Sequence, residues 1–523
     1  MRLRRACALP ALSAFLTLFS PIAFSQDSSS QSLGDVARKL RKDTTEEVRM
    51  TDADTKKLFD SVDQIFAFAS EDSGLPKHAT VKRRMVSKAD VEKYAKGRMA
   101  KEEYTKHFQV AELTMKKLGF LPRDFNLREF LVKATGQQIA GYYDEETKSI
   151  SLLNWVPADR QEPILAHELT HALQDQNYDL AKWMRAPAKP ESTEKKEGQE
   201  ENDDSAIARK AVVEGQAMVI YVDYILAPLR RNLTDTPGLI YQMEEPAVKA
   251  VQDSQMLHDA PMILREAGSF AYNEGLIFEG ELLQKGGKKM AFAGAFARPP
   301  RNSHEILQPD AYVNAEKLPV TAVPDLKHLI GEDYDVFDTG GIGQLDVRAY
   351  LKQYGERRNA EEVSSAWQGG AYAAYRRKKA ATDTAPTTSD LATIYVSRWK
   401  TSQAAARFAR FYVSAIPIRY SSAKAQDPLA CTGNKCPVAS ALFSTEEGPV
   451  IVEQWADNTV VVSESFDNGL ATKIGDAVHD GESGTHAENL PRKEIGLRLY
   501  EFPAFQQFAE RIGAEILHEM QVR

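Results

Sequence analysis

A chain of 523 residues is too long for one ordinary core, and 43% hydrophobic with 27% charged residues sets it apart from disordered and low-complexity chains. A net charge of −8 argues against a broad nucleic-acid-binding surface, and no Lys/Arg block interleaved with aromatics offsets it. Nucleic acid is therefore not an expected partner.

Met1-Arg2-Leu3-Arg4-Arg5 is a positively charged start, residues 6–19 form an apolar run, and Ala23-Phe24-Ser25 offers the small residues of a cleavage site. Residues 1–25 thus read as a signal peptide, with Gln26 as the new N-terminus. A retained anchor would need roughly 20 apolar residues, and the polar run 26–32 follows too soon. Secretion or export to the periplasm is the expectation, with no stable membrane insertion after cleavage.

Residues 26–100 read as an N-terminal helical region, where Leu58, Val62, Ile65 and Phe66 recur at helical spacing. A second helix is expected over 90–118, ended by Gly119-Phe120-Leu121-Pro122. Gly141-Tyr142-Tyr143 and Ser149-Ile150-Ser151-Leu152-Leu153 read as two short strands around a turn at 144–148. Pro163 sits where a first helical turn tolerates it, and 164–176 read as a buried helix. The acidic, lysine-rich stretch 186–205 has the composition of a solvated loop. Helical spacing resumes over 206–226 and again across 240–290, up to Gly286-Gly287. Ser303-His304-Glu305-Ile306-Leu307 looks like a capped helix start.

The segment 101–330 is expected to be one domain and 331–523 an α+β C-terminal domain. In the latter, 349–356, 360–367 and 402–413 read as helices, 393–396 as a strand, 450–452 with 459–462 as a hairpin, and 382–389 as a surface loop. Cys431 and Cys436 remain after signal removal. In an exported chain they read as a disulfide pinching a turn, since no second Cys pair or nearby His completes a metal site. The fold class expected is α+β, mainly helical before residue 331 and with a small β-sheet there.

The chemistry concentrates at His167-Glu168-Leu169-Thr170-His171. Residues four apart on a helix share a face, so His167 and His171 can grip one zinc ion at about 2.0–2.1 Å each. Glu168, displaced around the helix, can reach a water on that metal as general base. Ile164, Leu165, Ala166, Leu169, Ala172 and Leu173 make the helix apolar on nearly all sides, and buried histidines are costly unless a metal or hydrogen bonds satisfy them. A third ligand is needed. Glu214 is the candidate, an isolated acid in an apolar helix, flanked by Gly215 and Ala217 whose small size would let that helix approach the first. The competing reading pairs Glu214 with Arg209 or Lys210. Asp175, one turn beyond His171, is a candidate to orient a ligand imidazole.

The segment Ala166-His167-Glu168-Leu169-Thr170-His171-Ala172-Leu173-Gln174-Asp175-Gln176, followed by Val213-Glu214-Gly215-Gln216-Ala217, resembles the gluzincin clan of zinc metallopeptidases, in particular a group of secreted bacterial members. The resemblance covers about 136–226, and more loosely 299–309 and 342–370. It implies a zincin-like catalytic core and one catalytic zinc on His167, His171 and Glu214. It also implies a peptide or protein substrate, and an edge strand at 149–154 that pairs with extended substrate backbone. Where the family pattern would place a histidine before Pro309, this chain has Gln308. His304 is the candidate oxyanion partner in its stead, against the plainer reading of a cap at a helix start. A catalytically silent, peptidase-like binding or assembly protein of the cell envelope is the alternative function.

Overall fold

The computed structural model describes residues 50–90, 93, 102–136, 142–185, 203–242, 258–355, 357–378, 385–431 and 436–480, all within one compact unit, Glu47–Arg523. The expected signal peptide, the polar run 26–32, Gly141, most of the 186–205 loop and residues 382–384 and 432–435 lie outside them.

Helix α1 (Asp52–Ser73) starts where sequence chemistry says it should. Thr51 Oγ1 accepts from Asp54 N at 3.1 Å while the Asp54 carboxylate accepts from Thr51 N at 3.3 Å, a reciprocal cap. It ends at Gly74, in the left-handed region. Leu58, Val62, Ile65 and Phe66 are buried, as their spacing predicts. Strand β1 (Lys82–Val86) follows, then helix α2 (Glu102–Leu118) and a helix at Leu127–Gly136.

The expected hairpin is present as β2 (Tyr142–Asp144) and β3 (Ser149–Leu153), antiparallel, with Tyr143 opposite Ile150. Asp144 Oδ1 accepts from the amides of Glu146 and Thr147 at 3.0 and 3.1 Å and closes the turn. One expectation is overturned here. β1 pairs with β3 in parallel, so the sheet order is β1-β3-β2 and β3 is the central strand, buried along its length. The edge strand before the next helix is therefore β2, and residues 149–151 are paired on both sides, with β2 and with β1. Arg84 of β1 helps fix this arrangement, reaching Ser151 Oγ at 2.7 Å and the Asp144 carboxylate at 3.2 Å.

Helix α3 (Ala158–Tyr178) starts earlier than the apolar pattern suggested, directly after Pro157, so Pro163 lies inside it rather than in its first turn. That costs the helix one hydrogen bond near its start. α4 (Asp203–Leu226) is apolar enough to cross a membrane by length and composition, yet 72% of its most apolar window is buried inside the protein, as for a core helix. α5 (Met262–Lys288) breaks at Gly287, whose φ is 65°, and continues into a wide π-helical turn, Lys289–Gly294. α4 and α5 cross at a pair of glycines. A Cβ on Gly215 would lie 2.3 Å from the Gly275 carbonyl oxygen, so only hydrogen fits. The small residue beside Glu214 thus serves contact with α5, not with α3 as its sequence position suggested.

The short helix α6 (Ser303–Leu307) is capped by Asn302, whose side chain accepts from Glu305 N at 3.1 Å. Beyond it a seven-stranded sheet of order β4-β5-β6-β10-β9-β8-β7 carries the remaining strands, all neighbours antiparallel. Its members are β4 (Tyr334–Gly341), β5 (Trp367–Arg377), β6 (Leu391–Trp399), β7 (Ala423–Gln426), β8 (Ala439–Thr445), β9 (Gly448–Gln454) and β10 (Thr459–Glu464). The expected strand at 393–396 falls in β6, and the expected hairpin is β9–β10. Helices α7 (Gln344–Tyr354), α8 (Ser402–Arg419) and α9 (Asn468–Asp480) complete this α+β half. The helix expected over 360–367 stops at Ser364, and Trp367 opens β5 instead.

The segments on either side of residue 330 share one apolar cluster, which holds Leu58, Leu169, Ile220 and Phe278 as well as Tyr350, Trp399, Phe408 and Val460. Ion pairs reinforce the junction. Arg348 of α7 meets Glu274 of α5 at 2.6 Å and Glu266 at 2.8 Å.

Candidate metal centre

Helical spacing places His167 and His171 one above the other on α3, their rings perpendicular and 4.7 Å apart. Their Nε2 atoms lie 3.1 Å from each other. From α4, Glu214 brings Oε2 to 3.0 Å from His167 Nε2 and 3.3 Å from His171 Nε2. Atoms bound at about 2.0–2.1 Å to one tetrahedral ion stand roughly 3.3 Å apart, so this triangle has the dimensions of a zinc ligand set. All three side chains are buried, and together they form the group able to hold a metal ion among the described residues. The donor set of two imidazoles and a carboxylate suits zinc.

The two carboxylate oxygens of Glu214 face different partners. Oε2 faces the histidines, while Oε1 is ion-paired with Lys210 one helical turn back. Burial pushes the Glu214 carboxyl up, but Lys210 and then His171 outweigh it and hold it well below the usual range. Arg209, the other suggested partner, instead donates to the Trp183 carbonyl at 2.5 Å and lies over the Trp183 ring.

Glu168 is buried beside His167 and His171, and its Oε2 accepts from the Tyr143 amide of edge strand β2 at 2.9 Å. Burial raises its carboxyl pKa, with His171 and His167 opposing. The strand that flanks His167 and His171 therefore also orients Glu168. Tyr272 of α5 stacks near His167, ring centroids 6.3 Å apart.

Asp175 does not touch a ligand imidazole in the way expected. Its Oδ2 accepts from Tyr143 OH at 2.8 Å and from Lys148 Nζ at 2.5 Å, and its Oδ1 from Leu180 N at 3.2 Å. It pins the β2–β3 hairpin to α3. Contact with the ligand ring falls to its neighbour Gln174, whose Oε1 is 2.9 Å from His171 Nδ1. The sequence reading passed over Gln174, although a fully buried amide three residues after a ligand histidine carries the same signal as the histidines themselves.

His304 is buried too, but its neighbours are Gln344 Oε1 at 2.7 Å from Nδ1, Gln308 Nε2 at 3.2 Å, and the Trp367 ring. Those contacts tie α6 to α7 and β5, and none of them involves His167, His171, Glu168 or Glu214. Cys431 and Cys436 are joined in a disulfide, between β7 and β8.

Compared with known families, residues 333–469 match one described as a domain of unknown function (DUF8575). That match covers the seven-stranded sheet and none of His167, His171 and Glu214. Neither the curated proteins nor the solved structures contain a match to this chain.

Proposed function

We propose that this chain is an exported zinc-dependent metallopeptidase that hydrolyses peptide bonds in a peptide or protein substrate. The observation that carries this reading is the convergence of His167 Nε2, His171 Nε2 and Glu214 Oε2 on one point, with Glu168 beside them on the same helix. Two neutral imidazoles and one carboxylate leave a bound zinc centre at about +1, which suits a substrate that gains negative charge on oxygen. Zinc held there supplies Lewis-acid polarisation of the scissile carbonyl and of water. Glu168, its carboxylate oriented by the Tyr143 amide, takes the water's proton and passes it to the leaving amine. β2, as the edge strand next to the ligands, is the surface on which an extended peptide adds as a further strand. The positively charged and apolar first 25 residues support export, and the Cys431–Cys436 disulfide fits an oxidising compartment.

The test is metal analysis of the purified chain followed by digestion of a mixed peptide library. Glu168→Gln should keep stoichiometric zinc and lose turnover by at least about 10²–10⁴-fold, the usual contribution of a positioned acid–base group. A wild-type protein that binds stoichiometric zinc and cleaves nothing supports a silent binding or assembly protein of the cell envelope. A protein that takes up no zinc ends the metal reading altogether.

A further inference from the structure

Behind the ligand histidines lies a chain of two buried amides whose direction is fixed. Gln216 Nε2 stands 2.8 Å from the Ala291 carbonyl and 3.1 Å from the Phe292 carbonyl, both in the wide turn Lys289–Gly294 that follows α5. Carbonyls only accept, so it is the Gln216 nitrogen that faces them and the oxygen that faces away. That oxygen accepts from Gln174 Nε2 at 3.1 Å. The Gln174 nitrogen also donates to the Val213 carbonyl at 3.0 Å, which employs both of its hydrogens. Gln174 Oε1 is thereby left 2.9 Å from His171 Nδ1, and an oxygen there can only accept. A neutral His171 ring, the form that binds a metal, must carry its proton on Nδ1. Its Nε2 then holds the lone pair, and Nε2 is the atom 3.3 Å from Glu214 Oε2 and 3.1 Å from His167 Nε2.

The structure assigns Gln174 and Gln216 as positioning residues, an amide relay from the π-helical turn after α5 that fixes the His171 tautomer required for metal binding. The inference rests on reading His167, His171 and Glu214 as a zinc site. Both glutamines are fully buried, so water does not compete for these bonds. A leucine or methionine would fill the same space but leave His171 Nδ1 without its acceptor, and the amides therefore serve the ring as well as the packing. Their anchor is equally specific. The relay reaches α4 through the Val213 carbonyl next to Glu214, so one set of bonds aligns ligands from two helices.

The test uses the full chain, titrated with zinc against a chromophoric chelator, with the imidazole proton spectrum of the zinc-loaded protein as second readout. Gln174→Met should lower zinc affinity about 10–100-fold, the usual cost of losing such a partner, and should expose the His171 Nδ1 proton to exchange. Gln174→Glu keeps an acceptor at Nδ1 but sets its second oxygen against the Val213 carbonyl and Gln216 Oε1, so it should regain the Nδ1 protection lost in Gln174→Met while zinc affinity stays below wild type. Gln216→Met, one bond further from the metal, should cost about tenfold. Zinc affinity within threefold of wild type in Gln174→Met, with the Nδ1 proton still protected, overturns the relay while leaving the metal site standing. A wild-type chain that binds no zinc overturns the site itself, and the relay with it. Should Gln174→Met fail to fold, Gln216→Met decides by the same two readouts.

Discussion

Around β10 and α8, Arg419 Nη1 lies 2.8 Å from Glu464 Oε1, Tyr412 and Tyr420 donate to the same carboxylate at 2.7 and 2.6 Å, and Lys117 meets Glu447 at 2.8 Å. Around α3 and α4, by contrast, two imidazole nitrogens and a carboxylate oxygen face one another, with one cation, Lys210, turned to the far side of the carboxylate. Both sets are buried. In the first, every charge meets its opposite, as burial demands. In the second, two imidazole nitrogens and a carboxylate oxygen crowd one point, the arrangement on which the proposed metal site rests. Buried polarity alone does not mark a functional site. What marks it is a set of groups that complete one another only through a ligand.

The largest test of that contrast is Arg419→Met. It strands the Glu464 carboxylate, which burial raises but Arg419 and Lys117 hold down to about 2, and removing one partner of a buried pair costs about 3–5 kcal/mol. Denaturant unfolding should show the loss while zinc affinity stays unchanged. A loss below about 1 kcal/mol would mean that the closed network is not what it looks like. Next, zinc at a hundred times its dissociation constant should stabilise the chain by about 2.7 kcal/mol, and His171→Ala should abolish that gain. A gain that survives His171→Ala would place the metal elsewhere.

Glu453 in β9 probes the sheet half by pH. Burial, and then Asp476, raise its carboxyl from 4.5 to about 7. The folded chain therefore keeps a proton that the unfolded chain releases, and stability falls as pH rises from about 4.5 to 7. Glu453→Gln should remove this slope and add on the order of 2–3 kcal/mol above pH 7, with no gain at pH 4. Thermal melts across that range check it. The smallest effect belongs to the disulfide. Cys431 and Cys436 are 5 residues apart, and closing so short a loop is worth about 2 kcal/mol or less. Melting with and without reductant measures it, and zinc binding should not respond.

Much of this was legible along the chain, and the reasons for the rest are physical. The α3 motif could be read because its two histidines are local, four residues apart, in an apolar frame. Glu214 could be read because an isolated acid in an apolar helix has few other roles. β1 could not: Lys82-Arg83-Arg84-Met85-Val86 has little strand character, and its partner Ser149–Leu153 lies far along the chain in parallel pairing. The central place of β3 was hidden for the same reason. Spacing also suggested that Asp175 could reach a histidine, but the hairpin that claims it is a tertiary contact. Gly215 announced a close approach, but the partner is Gly275 of α5 and not α3, because which helix crosses there is decided by tertiary packing.

That crossing has a consequence for mutational tolerance. Positions 214 and 215 are chain neighbours, and a saturation scan should find both intolerant for unrelated reasons. At 215 any side chain meets the Gly275 carbonyl, so alanine should be rejected as firmly as aspartate. At 214 a neutral residue of the same shape should leave the chain folded, at the cost of the Lys210 ion pair and of the proposed metal. A scan scored on soluble yield would then reveal one of the two positions, and a scan scored on zinc uptake would reveal both.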